Sequence, residues 1–176
     1  MGKAGGSAFR CLSVWIFLAG HVLLFTLLGF LHPVAILYVG MIALSAAVFL
    51  TCAGVYFSTR YRNVTTALLM NVGLAMSLWL LIPIGAQQLG VIFDRPGLAD
   101  RVQELNPLVQ AWTTVAGATV TERMADGPMQ FHWPRRDCDW LQTTGLMLAS
   151  TAGYCLAGLL LAWRAKRMFR RNVFDH

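Results

Sequence analysis

Two long apolar runs are separated by the short basic stretch Ser58-Thr59-Arg60-Tyr61-Arg62-Asn63, and neither run contains a charged residue. An arginine at the centre of a bilayer is energetically costly, so charged residues rarely lie there. If the flanking runs cross a membrane, this stretch must lie outside the hydrocarbon. We interpret it as a hinge between two transmembrane helices.

The composition of the whole chain favours a membrane protein. Hydrophobic residues make up 57% of the 176 residues and charged residues only 12%, against about 25% charged residues in soluble domains. About 20 apolar residues cross the hydrocarbon as a helix, and four blocks have this length, at about 11–31, 34–57, 64–85 and 141–163. We therefore predict an all-α fold: a polytopic membrane helical bundle of four transmembrane helices, forming a single membrane domain over residues 1–176.

The first block has one competing interpretation, a signal peptide, because Lys3 and Arg10 precede it. Its apolar core is longer than that of a signal peptide, and no small-x-small cleavage site follows. We expect it to remain as a span.

The distribution of Lys and Arg predicts the orientation, because positive charge near the ends of spans stays in the cytoplasm. With four spans both termini share a side with the hinge and with the basic tail 164–176. That side would hold Lys3, Arg10, Arg60, Arg62, Arg164, Lys166, Arg167, Arg170 and Arg171. We expect a protein integral to the plasma or inner membrane, with both termini cytoplasmic. Since the tail directly adjoins a span and also suits anionic headgroups, we expect no nucleic-acid partner.

The external segment, about 86–140, is the one part with room for extramembrane structure. Its stretch 105–118 is moderately apolar and opens with Asn106-Pro107, which is typical of a helix with Pro in its first turn. This stretch is too short for an ordinary span, so we predict a re-entrant or interfacial helix before the last span. Phe131, Trp133 and Trp140 then predict an interfacial aromatic belt.

Few residues offer chemistry. His21 and Asn71 lie within predicted spans. We expect each either to form a hydrogen bond between helices or to line a translocation path. The group His132, Asp137, Cys138 and Asp139 carries ligand atoms, but its spacing matches no ligand pattern, so we expect no metal site. The chain has no phosphate-binding loop and no membrane-protease motif. We expect no catalytic residue, no cofactor on this chain and no enzymatic activity.

Three segments carry a family resemblance. The first joins a Gly54-x-x-x-Ser58 helix end, through the hinge, to the helix start Thr65-Thr66-Ala67. The second is the Asn106-Pro107 helix, and the third is the basic ending 163–174, which closes on Phe174. Together they resemble type-two ATP-binding cassette (ABC) exporter permeases, in their C-terminal four-span portion. Family permeases commonly have six spans, so the first pair would belong to another chain or to a longer gene product, or would be lost altogether.

The resemblance implies a permease subunit, or the C-terminal part of one, that moves a hydrophobic or amphipathic substrate. A separate ABC-type ATPase subunit would bind ATP and Mg²⁺, and a second permease half would complete a homo- or heterodimer in the bilayer. The hinge residues Ser58, Arg60, Tyr61 and Arg62 would form the ATPase-docking element. An alternative function is that of a four-span accessory or assembly protein without transport activity.

Overall fold

The computed structural model describes residues 12–94, 96–118 and 130–174. In these ranges the helices are α1 (Leu12–Leu27), α2 (Val34–Arg60), α3 (Val64–Met76), a π-helical segment (Ser77–Leu81), α4 (Ile82–Ile92), α5 (Pro96–Glu104), α6 (Pro107–Ala118) and α7 (Trp140–Phe174), and the strands are β1 (Gln130–His132) and β2 (Asp137–Asp139).

Three helices are long and apolar enough to cross a membrane, namely Val34–Arg60, Val64–Ile92 and Trp140–Phe169. They confirm the prediction of a mainly helical membrane protein. The helix Val64–Ile92, which we call the broken helix, consists of α3, the π-helical segment and α4, and it continues past the predicted end at residue 85. The first predicted span corresponds to α1, whose 16 residues extend for about 24 Å at 1.5 Å per residue; Cys11, its predicted first residue, lies outside the described residues.

The helices α2 and α7 run parallel and form the main interface of the bundle. Near their starts, Tyr38 donates a hydrogen bond to the Trp140 carbonyl. Further along, the rings of Phe49 and Tyr154 meet edge to face at 5.6 Å between centroids. Beyond them Gly158 lies against the α2 backbone, where an added Cβ would come within 3.2 Å of the Phe49 Cα. A small residue here lets the two backbones approach closely, as is common in membrane helix pairs.

The helix α6 packs against α2, and hydrogen bonds join it to α7, to which it runs antiparallel. Gln110 donates a hydrogen bond to the Ser150 hydroxyl at 2.8 Å. At the other end of α6, the Ala118 carbonyl accepts a hydrogen bond from the His32 backbone N–H at 2.9 Å. This helix therefore runs from the middle of α7 to the turn that precedes α2.

A β-hairpin covers the end of the bundle where α2 and α7 start. β1 and β2 are antiparallel, with Phe131 opposite Cys138, and two hydrogen bonds between Trp133 and Arg136 close the turn. Phe131 is fully buried and meets the ring of Tyr38 edge to face at 5.7 Å.

The buried hydrophobic cluster lies under this hairpin and contains Tyr38, Ile42, Phe131, Trp133, Cys138 and Met147. The predicted aromatic belt is therefore wrong for Phe131 and Trp133, which are buried, whereas Trp140 is exposed. The physical reason is the two-residue alternation of a strand and its continuation: Phe131 and Trp133 share the face that packs on the bundle, and His132 takes the other.

Candidate functional site

The hinge is a short extended connection between two helix ends. α2 ends at Arg60, and Tyr61 adopts an extended conformation while its N–H still bonds to the Phe57 carbonyl. The hydroxyls of Ser58 and Thr59 bond back to carbonyls of the preceding turn at 2.8 Å. Ser and Thr hydroxyls commonly bond to a carbonyl of the preceding turn in this way, which slightly destabilises and bends a helix.

The side chains of the hinge face outward. Ser58, Arg60 and Arg62 are exposed, and Tyr61 is half-buried, with its ring 6.3 Å from that of Phe57. Tyr61 thus anchors the hinge to the end of α2, while the side chains of Arg60 and Arg62 remain exposed. Arg60 also stands in the last turn of α2, where a positive charge suits the helix dipole.

The basic tail lies at the same end of the bundle as the hinge. Because α2 and α7 run parallel, the end of α2 at Arg60 lies at the level of the Arg164 to Arg167 part of α7. Arg164, Lys166 and Arg167 are exposed, and the guanidinium of Arg167 stacks on the Trp163 ring at 3.7 Å.

No acidic residue occurs anywhere in the sequence from residue 12 to 93 or from 140 to 174. Within the described ranges, no carboxylate forms a salt bridge with Arg60 or Arg62. This end of the molecule therefore presents positive charge that the helices themselves do not neutralise. Such a surface attracts acidic protein surfaces and anionic headgroups.

A second set of polar contacts joins α6 to the middle of the broken helix. The carbonyl of Trp79 would accept a hydrogen bond from residue 83 in a regular α-helix, but residue 83 is proline and has no N–H. Asn106 supplies the donor instead: its Nδ2 lies 2.7 Å from the Trp79 carbonyl oxygen.

Asn106 also caps α6. Its Oδ1 accepts a hydrogen bond from the Leu108 backbone N–H at 2.9 Å, and Pro107 is the first residue of the helix, where its missing N–H costs nothing. The side chain is 5% exposed. One asparagine thus starts α6 and fastens it to the irregular part of the broken helix.

Two further side chains hold α6 against α7. Gln110 donates both to the Glu104 carbonyl at 2.9 Å and to the Ser150 hydroxyl, and the Tyr154 hydroxyl donates to the Leu105 carbonyl at 3.1 Å. These bonds satisfy the backbone where the chain turns between α5 and α6. Buried polar groups paired in this way specify one arrangement of the helices.

The two faces of α6 are reversed relative to a helix at a water-exposed surface. Asn106, Gln110 and Thr113, spaced as on one helical face, are each at most 5% exposed, while Leu108 is 53% and Trp112 76% exposed. In water this arrangement would bury polar groups and expose apolar ones. It suits a helix whose outer face meets lipid.

Four buried side-chain polar atoms have no hydrogen-bond partner among the described residues. They are Asn71 Oδ1, Trp79 Nε1, Glu104 Oε1 and Thr114 Oγ1. The indole nitrogen of Trp79 lies beside the Tyr154 hydroxyl, outside hydrogen-bond geometry.

His21 and Asn71, the two polar residues predicted to lie within spans, make different kinds of contact. The Nδ1 of His21 bonds to the Phe17 carbonyl at 2.9 Å within α1, and the side chain is exposed. The Nδ2 of Asn71 donates to the Leu50 carbonyl at 3.2 Å and so links the broken helix to α2.

The group around the hairpin does not converge on one point. Asp137 and Asp139 face outward, whereas Cys138 is fully buried between them. The Nε2 of His132 lies 3.9 Å from Asp137 Oδ1, and both side chains are exposed. Among the described residues, no three ligand-type side chains are placed to share a metal ion.

Sequence reasoning did not single out Trp79, Pro83, Gln110, Ser150 or Tyr154. One sequence signal was available for α6, because Asn106, Gln110, Thr113 and Gly117 follow one another at spacings of a helical face. The pairing of Asn106 with Trp79 had no local signal, since these residues meet only through the fold.

Comparisons with protein-family models, curated proteins and solved structures find no match for this chain.

Proposed function

We propose that this protein is a permease subunit, or the C-terminal part of one, of an ABC-type exporter. In this proposal the bundle moves a hydrophobic or amphipathic substrate, and a separate ATPase subunit docks at the hinge and hydrolyses ATP. The observation that carries the proposal is the hinge itself: exposed Arg60 and Arg62, joined to two membrane-length helices and left without an acidic partner among the described residues.

The proposal includes four spans, with α1 as the first, and both termini in the cytoplasm. The positive-inside rule supports this orientation, because the hinge and the basic tail share one end of the bundle. The hairpin lies at the opposite end, and on this orientation it faces outward.

In the same proposal α5 and α6 form a re-entrant hairpin. From Trp140 to Ser150 the last helix rises about 15 Å, which is half of a ~30 Å hydrocarbon core. Gln110 contacts Ser150, and Asn106 contacts the middle of the broken helix. These contacts, together with the apolar outer face of α6, support a helix that enters the membrane from outside and returns.

The mechanism requires no chemistry on this chain. Closure of a nucleotide-bound ATPase pair would push on the hinge, and α2 and the broken helix would transmit the movement because both begin or end there. The Asn106 contact with Trp79 would carry that movement to α6. A second permease half would enclose the translocation path.

Charge reversal at the hinge tests the proposal. Arg60→Glu and Arg62→Glu together should reduce co-purification of the cognate ATPase at least tenfold and abolish stimulation of its ATP hydrolysis. The matched control reverses Arg164 and Lys166, which are also exposed at the same end but lie outside the hinge, and it should retain ATPase binding.

Membrane orientation must be verified for each variant, because these arginines also determine topology. Undiminished ATPase binding by a correctly oriented hinge variant would refute the docking role. Stable co-purification with a membrane complex that lacks an ATPase would instead favour the accessory or assembly function.

A further inference from the structure

The outward face of α7 changes from apolar to basic towards the end of the helix. Four residues at spacings of three or four lie on this face, namely Leu156, Leu160, Trp163 and Arg167. The two leucines are 61% and 64% exposed, Trp163 is 52% exposed, and Arg167 is exposed as well. Ala165, on the opposite side of the helix, is only 2% exposed. The face therefore points away from the bundle, with leucines first and an arginine last.

The depth of these residues corresponds to the layers of a bilayer. Counted from the start of α7 at Trp140, a hydrocarbon core of ~30 Å ends near Leu160, since each helical residue rises about 1.5 Å. Trp163 and Arg164 lie about 4–6 Å further along, within a headgroup layer of roughly 5–8 Å on each side. Leu156 and Leu160 thus lie beside acyl chains, whereas Trp163 and Arg164 lie at the level of lipid phosphates.

The guanidinium group of Arg167 lies at the same level. Its backbone is about 10 Å beyond Leu160, but its Cζ is 3.7 Å from the centre of the Trp163 ring. An indole face attracts a cation and so holds the group there. The sequence has no acidic residue from 140 to 174, and no described carboxylate forms a salt bridge with Arg167. Its positive charge is therefore available to an anion from outside the chain.

We infer that Trp163, Arg164 and Arg167 form a binding site for the phosphate of an anionic phospholipid, with one acyl chain of that lipid along Leu156 and Leu160. Arg164 and Arg167 are exposed and three residues apart, so they are neighbours on the helix surface. Two neighbouring guanidinium groups suit one phosphate, because each donates several N–H groups.

The depth and the charge together select this ligand. A lipid phosphate already lies in the headgroup layer, whereas an acidic protein surface would have to reach into it. A zwitterionic lipid carries its own cation, so an anionic lipid gains more from the arginines. Binding requires no nucleotide and no ATPase, so it is independent of the transport function proposed above.

A pair of photoreactive lipids tests this site: phosphatidylglycerol and phosphatidylcholine that carry a diazirine in the same acyl chain. Each is added at a low mole fraction to phosphatidylcholine nanodiscs containing the purified full chain, and labelled positions are mapped by mass spectrometry. Phosphatidylglycerol should label residues 156–163 roughly five- to thirtyfold more than phosphatidylcholine, the preference that one or two basic side chains beside an anionic lipid provide.

Substitutions separate the site from the general positive charge of this end. Arg167→Gln should lower labelling by phosphatidylglycerol about fivefold and leave labelling by phosphatidylcholine unchanged. Trp163→Leu should also lower the preference, although it removes no charge, because nothing then holds the guanidinium at phosphate level. Trp163→Phe keeps a ring and should retain most of the preference. Lys166→Gln is the matched control, since Lys166 is exposed but lies about 100° around the helix from Arg167; the preference should remain.

The inference is overturned if the two lipids label residues 156–163 equally, which would leave the basic face to an acidic protein partner. It is also overturned if Lys166→Gln lowers the preference as much as Arg167→Gln, or if Trp163→Leu leaves it intact. Absence of labelling by either lipid would show that protein covers this face, and the inference would fail as well. These outcomes leave ATPase docking untouched, because the assay contains no ATPase and no hinge variant.

Discussion

Gly117 and Phe131 determine how closely the β-hairpin lies against α6. The Phe131 ring covers Gly117 so tightly that an added Cβ would overlap Phe131 Cδ1 and come within 3.0 Å of Cε1. The Phe131 ring cannot shift away from Gly117, because it is fully buried against Tyr38. A glycine that interrupts a helix in the sequence is therefore a packing requirement in the fold.

We predict that Gly117→Ala destabilises the protein by about 1–3 kcal/mol, the usual cost of overpacking a filled core. The gain in helix propensity, at most about 1 kcal/mol, offsets part of this. The free energy of unfolding in mixed micelles measures the effect. Gly145→Ala is the control, since nothing lies within 4 Å of its added Cβ; an equal loss of stability there would contradict the explanation.

At the scale of elements, the irregular middle of the broken helix and the start of α6 depend on each other. Pro83 is buried and withdraws the N–H that would bond to the Trp79 carbonyl, and the π-helical segment occupies the residues just before it. Irregular segments of this kind in membrane helices persist where neighbouring groups satisfy the freed carbonyls. Asn106 does so here.

We predict that Asn106→Ala destabilises the protein by about 2–3 kcal/mol, because it removes both the helix cap and the donor to the Trp79 carbonyl. Asn106→Ser keeps a capping oxygen and should lose about half as much. Equilibrium unfolding by SDS measures both variants.

Pro83→Ala provides the internal control, since it restores a backbone donor to this part of the helix. In that background the loss caused by Asn106→Ser should shrink by about 0.5–1.5 kcal/mol, as a double-mutant cycle would detect. Strict additivity would mean that the two residues do not share the Trp79 carbonyl.

At the scale of the whole molecule, most charged residues lie towards the two ends of the bundle, and most of the surface between the ends is apolar. Among the described residues, the hinge and the helical part of the tail place positive charge without an acidic partner at one end, and the hairpin, with its exposed Arg135 and Asp137, closes the other. Between them α6 turns its apolar face outward at the level of the long helices. Together with the three membrane-length helices, these features suit a bundle that a bilayer surrounds.

Cysteine labelling in intact cells tests this arrangement, in a background that lacks the native cysteines. We predict that Arg135→Cys reacts with a membrane-impermeant maleimide from outside, and that Lys166→Cys reacts only after permeabilisation. Trp112→Cys should react from neither side, because lipid covers it. Rapid external labelling at position 112 would place α6 in water and contradict the re-entrant hairpin.

Local sequence properties determined the class of this protein: long uncharged runs predict membrane-length helices, and Asn106-Pro107 marks where α6 begins, because hydrophobicity and helix capping depend on residues close together in the chain. The first span and the depth of α6 stay predictions. Only the tertiary structure decided that Phe131 and Trp133 are buried, that Asn106 serves the Trp79 carbonyl, and that Asn71 donates to the Leu50 carbonyl. Each of these depends on partners distant in sequence, whose meeting follows from how the helices pack.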